Sequence, residues 1–89
     1  MDPSTLLSML EEAFDRLGVA IRVETMPEEA RLVGGLCIVN GAYSVIISAR
    51  ANTAERVDVL LDALRQLDTE SIWLPPAIRE KISGKSHSN

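Results

Sequence analysis

The chain has 89 residues, 46% of them apolar and 25% charged, with a net charge of −4. That length makes one small domain, able to bury roughly 60–65% of the surface its unfolded chain exposes. Nine Lys and Arg stand against 13 Asp and Glu and no two basic residues are adjacent, so the basic stripe that nucleic-acid binding needs is absent and an anionic membrane is excluded as a partner on the same ground.

Only Phe14, Tyr43 and Trp73 are aromatic, so the core has to be aliphatic, and oligomerisation is one way to supply the burial that large rings otherwise provide. Cys37 is the single cysteine. It allows no internal disulfide and argues against a metal cluster, and it fits a reducing compartment. The opening MDPSTLLSMLEEAFDR has no basic region ahead of its apolar residues, which are interrupted by acids, so it does not read as a signal peptide. No apolar run approaches the ~20 residues that span a bilayer. The expectation is a soluble, cytoplasmic protein.

In chain order, Asp2 can cap a helix with Pro3 at its first position. Leu6, Leu10, Ala13, Phe14 and Leu17 form one stripe at three- and four-residue spacing, widened by Leu7, and Gly18 ends it. Residues 19–24 alternate: Val19, Ile21 and Val23 point one way, Ala20, Arg22 and Glu24 the other, which predicts a half-buried strand. Residues 25–30, polar with a proline, read as a loop. A second strand is expected from Arg31 to Val39, interrupted by Gly34-Gly35, which predicts a bulge or a close backbone approach, the bulge being the favoured form.

Asn40-Gly41 lies between the apolar runs Leu36–Val39 and Tyr43–Ile47 and is the strongest short-range hairpin signal, because both residues tolerate the positive φ of a type I′ turn. With a two-residue loop, Val39 faces Ala42, Ile38 faces Tyr43, Cys37 faces Ser44 and Leu36 faces Val45. Leu36, Ile38, Tyr43, Val45 and Ile47 then share one sheet face, expected to meet the helices. Cys37, Val39, Ala42, Ser44 and Ile46 share the other. A longer loop would shift the pairing, and a one-residue slip would exchange the faces.

Asn52 with Glu55 three residues on has the spacing of a capping box, and Val57, Leu60, Leu61, Leu64 and Leu67 supply the stripe of the helix that follows. Asp68–Ser71 is a turn, and the prolines at 75 and 76 bias Ile72-Trp73-Leu74 toward extended backbone. Pro76–Ile82 reads as a last helix with Ala77, Ile78 and Ile82 inward, stopped by Gly84. Residues 85–89 are expected to form a disordered polar tail. The fold class expected is α+β: two layers, a three-stranded antiparallel sheet with helices on one face, in the order α-β-β-β-α-α, as a single domain over residues 1–84.

Few residues suggest chemistry. Cys37 lacks a partner, since the only histidine, His87, falls in the tail, and a thiol–imidazole pair needs hydrogen-bond reach; a small apolar role in the sheet is the simpler one. Gly34-Gly35 precedes a strand rather than a helix, with no Gly-Lys-Ser/Thr after it, so it does not read as a phosphate loop. The acids Glu11, Glu12, Glu28, Glu29, Asp58 and Asp62 belong to solvated surfaces rather than to a cleft that would shift their pKa values. Trp73 beside Pro75-Pro76 is either a lid over one end of the core or an interface anchor, a role in which Trp is enriched.

A hairpin followed by AERVDVLLDALRQLD resembles the strand-and-active-helix unit of the zincin-type metallopeptidases that cleave bacterial repressors, over about a third of the chain. Where that family carries His-Glu-x-x-His, this chain has Asp62, Ala63, Leu64, Arg65 and Gln66. Both histidines and the glutamate are missing, so the resemblance implies a scaffold that cannot hold zinc. The chain is also similar to small bacterial proteins of this length, a likeness that carries no activity. The reading that follows is a non-enzymatic protein-interaction module acting as a homodimer, with no catalytic, cofactor or metal residues and with Trp73, Ile46, Val39 and Cys37 as candidate interface positions. The alternative is an effector-binding regulatory domain with a small-molecule pocket between sheet and helices.

Overall fold

The first helix forms where the sequence places its cap. In the computed structural model, which describes residues 1–27, 29 and 32–84, α1 spans Pro3–Leu17 with Asp2 at its N-cap. The Asp2 carboxylate accepts the Thr5 backbone N–H at 2.8 Å, and that hydrogen bond is the main reason its pKa lies below the ordinary value. The stripe Leu6, Leu10, Ala13 and Phe14 is buried.

Three strands follow: β1 (Ala20–Glu24), β2 (Gly34–Val39) and β3 (Ala42–Ser48). Asn40 and Gly41 have φ of 53° and 82°, the two positive values of a type I′ turn, and the hairpin register is the one expected, with Val39 opposite Ala42 and Leu36 opposite Val45. The ladder runs unbroken through Gly35–Ile46 and Gly34–Ile47, so the glycines mark no bulge. Gly34 is there because backbone comes too close: a Cβ would fall against the Ile46 carbonyl oxygen and 3.0 Å from the Ile47 Cα.

The sheet is mixed, not antiparallel throughout. Its order is β1-β3-β2, and β1 runs parallel to β3, with Ala20 beside Ser44 and Glu24 beside Ser48. β3 takes the centre because its apolar residues are the ones covered: Val45 and Ile47 are core, whereas neither edge strand has a buried residue. To leave β3 between β1 and β2, the chain after β1 has only to step across two strand spacings, about 9.6 Å. The connection of residues 25–33 does so. It is longer than expected, because the second strand begins at Gly34; Arg31, its expected start, lies outside the described residues. Both ends are tied to β3, since Ser48 donates to the Val33 carbonyl at 2.7 Å and Ala49 to that of Glu24 at 2.8 Å.

After β3, α2 spans Thr53–Arg65. Its capping box is complete: Glu55 N–H donates to the Asn52 side chain at 2.8 Å, and Asn52 N–H to the Glu55 carboxylate at 2.9 Å. Replacing Asn52 with Ala is expected to cost about 1 kcal/mol, read as a lower urea midpoint at unchanged slope. Val57, Leu60, Leu61 and Leu64 are buried. The last helix, α3, spans Pro76–Gly84, two residues beyond the expected Ile82, and is fixed by Ile78 in the core. α1 packs on α2 and β1, α2 on β2 and β3, and α3 on α2. The result is a two-layer α+β fold with helices on one face. The tail 85–89 lies outside the described residues.

Two residues assigned to the helix-covered face are open. Ile38 is 65% exposed and its partner Tyr43 half-exposed. They form the last pair but one before the turn, beyond the part of the sheet whose residues Val45 and Ile47 are covered. Val23, at the far end of edge strand β1, is likewise half-exposed.

Candidate functional site

Strand parity separates the candidate interface residues from the core. Cys37, Val39 and Ile46 alternate with the core-facing residues of the hairpin and lie on the helix-free face, each half-buried. On the same face stand Ala20, Arg22 and Glu24 of β1 and Ser44 of β3, as the parallel register requires. Ser44 is buried, and its hydroxyl lies 3.5 Å from the Ala20 carbonyl, to which it donates. Arg22 and Glu24 form an ion pair of 2.9 Å. This face is therefore apolar toward β2 and charged toward β1.

Cys37 and Ile46 come together in a groove of about 370 Å³ that they share with Met26, Leu32, Gly34, Gly35 and Leu36. Met26 belongs to the segment that reads as a polar loop and Leu32 to what reads as the start of the second strand; both lie in the connection ahead of β2 and supply one apolar wall. The Arg50 guanidinium helps to hold that loop, donating to the Met26 carbonyl at 3.3 Å. Leu32 is 70% exposed. Val39 does not line the groove, and Trp73 is nowhere on it.

Trp73 is not a lid. It is 63% exposed in the connection between α2 and α3, and its neighbour Leu74, 3% exposed, fills the core instead. The space expected to hold a ligand, between sheet and helices, contains Leu10, Phe14, Val45, Ile47, Leu60, Leu64 and Ile78. The alternative of a pocket there has to move to the edge of the sheet, where side chains run out.

The helix that resembles a metallopeptidase unit puts Ala63 and Leu64 in the core. Asp62 and Gln66 lie outward, Asp62 beside the Arg65 guanidinium at 3.7 Å. Among the described residues, no three His, Cys, Asp or Glu side chains stand close enough to hold a metal ion. No described helix is long and apolar enough to cross a membrane. His87 lies outside the described residues.

What fold and surface define is a class: a small two-layer α+β domain with a mixed three-stranded sheet, one sheet face that no helix covers among the described residues, and an apolar rim. Compared with protein-family models, curated proteins and solved structures, the chain matches none.

Proposed function

We propose that the protein is a non-enzymatic interaction module that works as a homodimer. The observation that carries this reading is the apolar rim along β2, where exposed Leu32 helps to line a groove made almost wholly of carbon and Ile38, further along the strand, is exposed as well. Apolar side chains grouped at one edge, rather than scattered singly, are what contact surfaces expose. The small aliphatic core supports the same reading, since a second copy adds burial that this chain length limits. Size-exclusion chromatography with light scattering over a dilution series is the test. A mass that falls from twice the chain mass toward 9.7 kDa on dilution is expected; 9.7 kDa at every concentration refutes the homodimer.

The groove also favours a second reading, an effector-binding regulatory domain. Its volume lies at the small end for ligand sites, which also carry a few convergent polar groups to orient the ligand. Here the lining side chains offer two sulfur atoms, of Met26 and Cys37, and otherwise carbon. That favours an apolar contact over a specific small molecule, and ranks this reading second.

A further inference from the structure

The two edges of the sheet differ in a way that singles out one of them. β1 carries the Arg22–Glu24 pair, and charged side chains on an edge strand oppose pairing with another chain. β2, GGLCIV, carries no charge. Its backbone is also free to pair. In a hairpin with a two-residue loop, Val39, Cys37 and Gly35 exchange hydrogen bonds with β3, as does Val33, whose carbonyl takes the Ser48 N–H. By that alternation the N–H and C=O groups of Gly34, Leu36 and Ile38 point away from β3. None of them has a backbone partner outside the strand ladder among the described residues.

We propose that this edge pairs with the same edge of a second copy, antiparallel about a two-fold axis through Leu36, giving a continuous six-stranded sheet. The inference rests on the homodimeric reading above and says where that dimer forms. Three outward residues at alternate positions are self-complementary only when the middle one sits on the axis. Leu36 then opposes the partner's Leu36, and Ile38 opposes the partner's Gly34, so every outward donor and acceptor is used. The side chains agree with this register. Opposed residues share a face, so the most exposed side chain of the strand lies opposite a residue that carries none. On the other face Cys37 opposes the partner's Gly35, beside the groove. An axis through Cys37 would instead oppose Gly34 to Asn40, a turn residue with φ 53°, and would lose one pair of bonds.

The register predicts a crosslink. Gly35 and the partner's Cys37 form a non-hydrogen-bonded pair, about 4.5 Å apart at Cα, within disulfide range. Two Cys37 residues would be about 8 Å apart, beyond it. A Cβ at Gly35 meets nothing within 4 Å, so Gly35→Cys is compatible with the fold. Under mild oxidation Gly35→Cys is expected to give a covalent dimer on non-reducing gels, and the double variant Gly35→Cys/Cys37→Ser only monomer. Ile38→Lys puts a charge on an exposed position of the free edge and is expected to raise the dimer dissociation constant on the order of a hundredfold, with an unchanged circular dichroism spectrum. If the wild type is a dimer but Gly35→Cys does not crosslink and Ile38→Lys does not weaken it, the edge assignment is overturned and the homodimer stands. A Cys37–Cys37 crosslink in the wild type overturns the Leu36 register. A wild-type monomer at all concentrations removes both the edge pairing and the homodimer.

Discussion

Replacing Phe14 with Ala is expected to lower unfolding stability by about 3–5 kcal/mol. Phe14 has no exposed surface, and it is the one aromatic side chain in the core, because Tyr43 is half-exposed and Trp73 points to solvent. It lies on the α1 stripe, in the layer where α1 packs against α2 and β1. Removing the ring takes away its transfer free energy and leaves a cavity, which aliphatic neighbours held by two helices and a sheet can fill only in part. A chain of 89 residues at about 0.05–0.15 kcal/mol per residue has about 4–13 kcal/mol in total, so the loss is a large fraction of what exists. Urea unfolding of the variant at 25 °C should show a strongly lowered midpoint with an unchanged slope. A loss below about 1 kcal/mol would mean that the ring is not the centre of the core.

The elements that local chemistry controls were legible in the sequence. A helix start is a contest among a few backbone N–H groups and one side chain, so Asp2 and Asn52 announce their helices. A two-residue reversal needs positive φ twice, so Asn40-Gly41 announces the hairpin and its register. What local chemistry cannot encode is which strand lies next to which. Alternation assigns Ile21 and Val23 to a face, and it would be the same beside β2, beside β3, parallel or antiparallel. The mixed sheet follows from the global preference for burying the most apolar strand on both edges. The exposure of Ile38 and Tyr43 has the same origin: the pattern marks the face they are on, whereas their cover depends on how far the helical layer reaches. Trp73 and Leu74 show the limit at a single step, since adjacent residues in an extended segment point opposite ways and only packing decides which goes in. For the candidate site, strand parity alone puts Cys37, Val39 and Ile46 on the helix-free face. The groove was not legible, because Met26 comes from a segment that reads as loop and Leu32 from one that reads as strand, whereas both lie in the connection ahead of β2.

Gly34 and Gly35 are adjacent, share a strand and look alike in sequence, and they should respond to alanine in opposite ways. At Gly34 a methyl group would press against the Ile46 carbonyl oxygen, with the Ile47 Cα at 3.0 Å and Val59 Cγ1 at 3.2 Å. Two of those three neighbours are backbone of the central strand, which cannot move without disturbing the pairing of β3 with β1 and β2 together. Relief has to come from separating β2 from β3 or from displacing α2, so Gly34→Ala is expected to cost about 3 kcal/mol, at the upper end for overpacking. At Gly35 the methyl group meets nothing within 4 Å, and the substitution removes the entropy cost of ordering a glycine in a strand, so Gly35→Ala should lie within about 0.5 kcal/mol of wild type or be slightly stabilising. Chemical denaturation of both variants side by side gives the answer, and native-state hydrogen exchange locates it. Gly34→Ala should lose protection first in the β2–β3 ladder, while Gly35→Ala keeps the wild-type pattern. Equal losses at the two positions would mean that glycine is required along this strand for its flexibility; a large loss at Gly34 alone ties the requirement to that one position, where a φ of 159° and the close approach of β2 to β3 and α2 both exclude a side chain.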